Sequence, residues 1–227
     1  MFIKHKIIFW GSYQRQVSFV DVVDSAIEIL KYIQNESDFG NSLMVKSNGC
    51  YIDYSEIDLP NTIASGVNHE RDVTFPELGY RIEFRLFIQN SIVYGSFLIG
   101  ATSPDVVNTF TMSIPMNLDL EKCETRERIK RIFVGVSRSY NWFWGAVINN
   151  YLRGKFSYLF RDGRPSTLYW LNYFQADITK GLNQTEYALL RDKYGVKLDQ
   201  NIVTIDYNLC FNESIYEINN ILLAKLI

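Results

Sequence analysis

The stretch at 77–115, ELGYRIEFRLFIQNSIVYGSFLIGATSPDVVNTFTMSIP, limits what this chain can fold into more than any other. Tyr80, Ile82, Phe84, Leu86 and Ile88 alternate with Arg81, Glu83 and Arg85, the two-residue period of a strand with one buried face. Asn90-Ser91 separates this run from a second, at 92–99, by the length of a hairpin turn. In a third run Phe110, Met112 and Ile114 alternate with Thr109, Thr111 and Ser113. Thr, Ile, Val and Phe suit a pleated surface. The stretch therefore predicts three consecutive antiparallel strands.

The rest of the chain must cover that meander. A first strand is expected at 2–10, ending at Gly11-Ser12. A helix follows over 18–34, with Val20, Val23, Ile27, Leu30 and Ile33 at helical spacing and Phe19, Ala26 and Ile29 widening the stripe. Asp21 and Asp24 lie at its N-terminus, the end that favours negative charge. Asn48-Gly49 inside 43–54 marks a type I′ hairpin, since both central residues of that turn need positive φ. A short helix is expected near 61–67, then a polar run at 68–72. Thr125 is placed to cap a helix reaching about 139, with Ile129, Ile132, Phe133 and Val136 inward. Further strands are expected at 142–149, 156–160, 167–174 and 202–206, with Asp162-Gly163 as a second hairpin signal. A short helix capped by Thr185 and stopped by Gly195, and a terminal helix at 214–226 with a Ser214/Glu217 capping box, complete the order.

Clustered strands with interspersed helices make this an α+β chain: a mostly antiparallel twisted sheet, its central three-stranded meander at 80–115, and helices packed on it. No linker rich in Gly, Pro or Ser interrupts 1–227, which predicts a single domain, with two related halves as the alternative. Hydrophobic residues at 47% and charged residues at 21% supply a sizeable core and exclude a disordered chain. A net charge of -2 offers no basic excess for nucleic acid and no cluster for an anionic membrane surface.

Chemistry is hard to place. The only histidines are His5 and His69, and NHERD at 68–72 has one imidazole with carboxylates at unsuitable spacing for a metal. Cys50, Cys123 and Cys210 are far apart and odd in number, so no disulfide framework or metal spacing appears. Reduced thiols fit a cytoplasmic location. No nucleophile elbow, phosphate loop, dinucleotide fingerprint or zinc-protease motif occurs. No catalytic residue, metal or cofactor is therefore assigned. An enzyme without a motif would need polar groups converging in a pocket, for example His69 with a carboxylate. The carboxylates form three small patches: Asp53, Glu56 and Asp58; Glu70, Asp72 and Glu77; and Asp119, Glu121 and Glu124. Each is read either as solvated surface or as a surface for a basic protein.

Several stretches resemble the immunity protein 52 family of bacterial polymorphic toxin systems. GSYQRQVSFVDVVDSAIEIL resembles the family's opening Gly/Tyr/Trp cluster, Arg and helix, with Trp10 here preceding Gly11. ELGY at 77–80 is similar to its central segment, and GATSPDVVNTFTMSIP to its strand motif with Gly, Asn and terminal Pro. Trp170 and Tyr173 in LYWLNYF, and the final strand, Phe211-Asn212 and helix, are similar to its C-terminal part. The resemblance implies an antidote without catalysis that binds and occludes a cognate toxin, commonly a nuclease, of the kind carried by type VI secretion. It supplies no catalytic residues. A structural or assembly protein of a phage or secretion system is the alternative. Under the antidote reading, Asp53, Glu56, Asp58, Glu70, Asp72 and Glu121 are expected to contact the toxin. The five at 53–72 should then lie exposed near one another. The protein would be a monomer or weak homodimer with no direct contact to nucleic acid or membrane.

Overall fold

The computed structural model describes residues 3–38, 43–149, 160–161, 164–211 and 213–225. The chain divides into two compact units, Met1–Trp142 and Phe143–Ile227. The fold class is the expected one: α+β, with antiparallel strand pairing and helices packed on the sheet.

In the first unit the strands are β1 (Ile3–Gly11), β2 (Met44–Ser47), β3 (Cys50–Asp53), β4 (Val67–Glu70), β5 (Val73–Ile88), β6 (Ser91–Ile99) and β7 (Asn108–Pro115). The helices are α1 (Phe19–Gln34), α2 (Leu59–Ser65) and α3 (Cys123–Arg138). The sheet order is β1-β7-β6-β5-β2-β3, with β4 paired to the outer part of β5. The meander is β5-β6-β7, and its alternation sets the core. Ile82, Phe84, Leu86 and Ile88 are buried on β5, and Asn108, Phe110, Met112 and Ile114 on β7. Phe84, Phe97 and Phe110 stack along that face at centroid distances of 5.9–6.4 Å. Phe9 joins them and meets Phe133 of α3 at 4.7 Å. Each buried ring of this kind contributes roughly 1.5–3 kcal/mol.

All three helices lie on the Phe84 face. A Cβ at Gly135 of α3 would stand 2.5 Å from the Tyr32 ring of α1, so a hydrogen there lets these two helices approach closely. Thr62 of α2 meets Ser47 of β2 at 3.1 Å. The opposite face of the sheet, which carries Arg81, Glu83, Arg85, Tyr94 and Leu98, has none of the described helices of this unit against it and is partly exposed at these residues.

Several local expectations shift. The β5–β6 turn is Gln89-Asn90, both at positive φ (48° and 59°), and Ser91 already pairs with Ile88. The turn was expected one residue later; Ser91 is buried, so it belongs to the strand. The inward face of α1 is Val22, Ala26, Ile29, Leu30 and Ile33, which turns Phe19 and Val20 outward. Thr125 does not cap α3. It is buried within the helix and its hydroxyl accepts from the Gln89 side-chain amide at 2.7 Å. The polar run at 68–72 forms β4 and its turn, because backbone pairing with Val73–Phe75 needs no apolar side chains.

In the second unit β8 (Trp142–Asn149), β11 (Leu171–Phe174), β12 (Lys197–Asp199) and β13 (Ile202–Thr204) form antiparallel pairs in the order β12-β13-β11-β8. β9 (Phe160–Arg161) and β10 (Arg164–Pro165) form a separate pair; the Asp162-Gly163 turn and residues 156–159 of the strand expected at 156–160 lie outside the described residues. α4 (Gln184–Ala188) is capped by Asn183, whose side-chain Oδ1 accepts from the Glu186 N–H while the Glu186 carboxylate accepts from the Asn183 N–H, so the cap lies two residues before Thr185. α5 (Ser214–Leu222) begins after Glu213 with no side-chain cap bond, and Glu217 pairs instead with Lys193 at 3.1 Å.

Candidate functional site

One end of the first unit's sheet is built from loops. β1 finishes there at Gly11, β6 at Ile99, and β7 starts there at Asn108. Three segments meet at this end: residues 12–18 before α1, residues 76–79 within β5, and residues 100–107 between β6 and β7. The alternation of β7 puts Asn108 in the inward phase, where its neighbours are Phe110 and Met112. It is fully buried, and its amide ties two of the loops together. The Asn108 Oδ1 accepts the Ala101 N–H at 3.0 Å, and its Nδ2 donates to the Ser12 carbonyl at 2.8 Å. The Gln14 N–H donates to the Ala101 carbonyl at 3.0 Å.

The third segment is tied in the same manner. The Thr102 and Ser103 N–H groups donate to the Glu77 carbonyl at 2.9 and 3.0 Å. Gly100, at φ +78°, donates its N–H to the Tyr140 hydroxyl at 3.1 Å. Burial raises the Tyr140 pKa, and the bond from Gly100 partly opposes that rise. A Cβ at Gly100 would stand 2.6 Å from Val22 of α1, so the helix start is seated directly on this loop.

On these tied loops and the first turn of α1 stand apolar side chains facing solvent: Tyr13 (42% exposed), Phe19 (39%), Val20 (65%) and Val107 (46%). Phe19 is steadied by the Tyr80 ring at 5.5 Å. Charged residues of both signs stand on the same segments, with Arg15, Arg71 and Arg81 exposed beside the carboxylates. Asp21, which closes the Ser18 capping box, is held below the usual carboxylate range by the Ser18 hydroxyl and backbone N–H. Glu77 and Asp105 are exposed on the other two loops. β4 and the outer part of β5 extend from the same end as a two-stranded arm, with Glu70 and Asp72 exposed around its turn.

The six carboxylates expected to form a contact surface are therefore divided among three places. Asp53, Glu56 and Asp58 come together between β3 and α2. Asp53 accepts from the Ser55 hydroxyl at 2.6 Å and its N–H at 2.9 Å, which lowers its pKa. Asp58 caps α2 by accepting from the Asn61 N–H at 3.3 Å. Glu56 is exposed between them. Glu70 and Asp72 are on the arm. Asp53 pairs through Met44 with Arg85, twelve residues along β5 from Val73, or ~40 Å of extended strand. Glu121 follows Pro115, at the opposite end of β7, where its carbonyl accepts from the Arg126 guanidinium at 2.8 Å. Charge spacing along the sequence gave no sign of this division. Tyr13, Phe19, Val20, Val107 and Asn108 were not among the expected contacts; Phe19 and Val20 were expected on the inward stripe of α1, and only the polar Asn108 in an apolar phase of β7 marks this end in the sequence.

Among the described residues no group of three or more His, Cys, Asp or Glu stands where it could hold a metal ion. His69 is exposed on β4, its Nδ1 3.4 Å from the Val67 carbonyl oxygen. Burial pushes the Cys210 thiol up to about 12, so it stays protonated. In the second unit an open groove of about 440 Å³ lies between Ser166-Thr167 and the Tyr216, Asn219 and Asn220 face of α5. Its Asn219 side chain is occupied by the Leu168 N–H and the Thr167 hydroxyl. No described helix is long and apolar enough to cross a membrane.

No protein-family model matches the chain, and no curated protein matches it; the likeness to the immunity protein 52 family rests on the short motifs quoted above. Among solved structures the chain is similar to the Pseudomonas aeruginosa T6SS protein PA0821, with a TM-score of 0.56 and 7% identity over 97% of this chain and 72% of that one. A likeness at that identity is a shared fold.

Proposed function

We propose that this chain is an immunity protein that binds a cognate toxin and occludes it stoichiometrically, with the loop end of the first unit as the contact surface. The observation that carries the reading is the set of exposed apolar side chains, Tyr13 and Val107 on the loops and Phe19 and Val20 in the first turn of α1, at an end held by the Asn108 hydrogen bonds. A surface that is ordered before binding loses less entropy on docking, and aromatic anchors within a charged rim are the usual seat of binding energy. The acid-leaning rim, which keeps Glu70 and Asp72 from the expected set, suits a basic partner such as a nuclease. The family resemblance and the fold shared with a T6SS protein point to the same setting.

The test is to induce each gene adjacent to this one in a heterologous bacterium, with and without this protein, and to purify any rescued pair. A neighbour that kills alone, is tolerated with this chain and co-elutes with it is the expected result. Wild-type chain that rescues no neighbour and co-elutes with none would remove the proposal.

A further inference from the structure

The groove of the second unit is built on one stripe of α5. Tyr216, Asn219, Asn220 and Leu223 fall at i, i+3, i+4 and i+7, so they share the helix side opposite the buried Ile218 and Leu222. Ser166 and Thr167, which follow β10, and Ala224 complete the lining. The wall is fixed before any ligand arrives. The Asn219 Oδ1 accepts the Leu168 N–H at 2.9 Å, and its Nδ2 donates to the Thr167 hydroxyl at 2.9 Å. The volume of about 440 Å³ falls within the ~300–1,000 Å³ of small-molecule sites and suits a ligand of disaccharide size.

The chemistry of the lining selects a neutral, hydroxyl-rich ligand. Every lining residue is uncharged. The charges beside the stripe are already matched within the chain, Glu217 by Lys193 at 3.1 Å and Lys225 by Glu186 at 3.0 Å. A phosphate or carboxylate therefore finds no counter-charge at the walls. A wholly apolar ligand would strip water from amides and hydroxyls without replacing their hydrogen bonds. The lining offers an aromatic ring at Tyr216, 69% exposed, together with the exposed Ser166 hydroxyl and Asn220 amide. Neither of these two side chains makes a hydrogen bond to a described residue. A hexose has a face of C–H groups and a rim of hydroxyls. Its C–H face packs on the Tyr216 ring and on Leu223 and Ala224, and its hydroxyls pair with groups that both donate and accept.

We propose that this groove binds a neutral saccharide, with Tyr216 as the stacking platform and Ser166 and Asn220 as hydrogen-bonding partners of its hydroxyls. The proposal is independent of the antidote reading, which concerns the loop end of the first unit.

Titration of the isotope-labelled full chain with maltose, cellobiose and N,N′-diacetylchitobiose, followed by amide NMR shifts, tests it. At least one of the three should bind with a Kd of ~0.1–10 mM, the range expected of a small ligand in an open groove. It should move the amides of Ser166, Thr167, Asn219, Asn220 and Leu223 and leave those of Gly100 and Val107 in place. Tyr216→Ala should bind at least about tenfold more weakly, and Tyr216→Phe within about threefold of wild type, because the ring and not its hydroxyl carries the stacking. Tyr216 faces solvent, so circular dichroism should show native folds. Should Tyr216→Ala fail to fold, Asn220→Ala must weaken binding at least about threefold by itself. Inorganic phosphate should move none of these amides. The proposal is overturned if none of the three sugars moves them at ~50 mM, or if a folded Tyr216→Ala or Asn220→Ala binds like wild type. It is overturned equally if inorganic phosphate moves them as the sugars do.

Discussion

Replacing Asn108 with alanine should loosen the loop end more than its small change in size suggests. The side chain is fully buried and makes two hydrogen bonds, one from the Ala101 N–H and one to the Ser12 carbonyl. Alanine removes both partners at once and leaves the Ala101 N–H unpaired in a buried site and the Ser12 carbonyl in a partly buried one. Each orphaned group costs about 1–3 kcal/mol, so the total expected is about 2–4 kcal/mol after local relaxation. Asn108→Asp keeps the acceptor for Ala101 but loses the donor to Ser12, and it adds a charge; its loss should be of similar size with a steep dependence on pH. Urea unfolding gives the stability change, and amide exchange gives its location. The Ala101 and Gln14 N–H groups should exchange faster in Asn108→Ala relative to amides in the middle of β5 and β6. A loss below ~0.5 kcal/mol, or unchanged exchange at Ala101 and Gln14, would refute the claim that this amide holds the loops.

Other perturbations follow from single contacts. Gly135→Ala should destabilise by about 1–3 kcal/mol, read as a lower Tm, because its methyl enters the Tyr32 ring where α1 meets α3. Arg71→Gly should stabilise by about 0.5–1 kcal/mol in urea unfolding, because Arg71 holds φ at 54° in the turn of the arm. Burial raises the Tyr169 pKa from 10.0 to about 12, so its neutral form is favoured in the folded state. That contribution is complete below about pH 10 and is lost as pH rises toward about 12. Over those two units it amounts to about 3 kcal/mol, and alkaline unfolding followed by tyrosinate absorbance should flatten in Tyr169→Phe.

Periodicity made the sheet legible because β5 and β7 each have one buried face, and a period of two leaves no doubt about which side chains share it. The same signal carried Asn108, a polar residue in an apolar phase. Helix phase was less secure. Val20 and Val22 both fit an apolar stripe in α1, and only the seat of Val22 on Gly100 decides between them. Thr125 looked like a cap because capping is a local rule, but the side chain answers to Gln89, which is distant in sequence. β4 and β12 pair through their backbones with few apolar side chains, so a search for alternation passes over them. The acidic residues were grouped by closeness in sequence. A sixteen-residue strand and a capped helix lie between the groups, and Asp53 and Asp58 already serve a turn and a helix start.

Under the proposed function, the loop end is the surface that meets the partner. Calorimetric titration of a co-eluting neighbour against three forms of the chain measures it: wild type, the Phe19→Ala/Val20→Asp double variant, and Glu56→Lys/Glu121→Lys as a control at the other acidic sites. The loop-end variant should lose about a hundredfold or more in affinity, ~2.7 kcal/mol, and the control less than about threefold. The reverse pattern, with binding intact after loss of Phe19 and Val20 and abolished by the control, would contradict it.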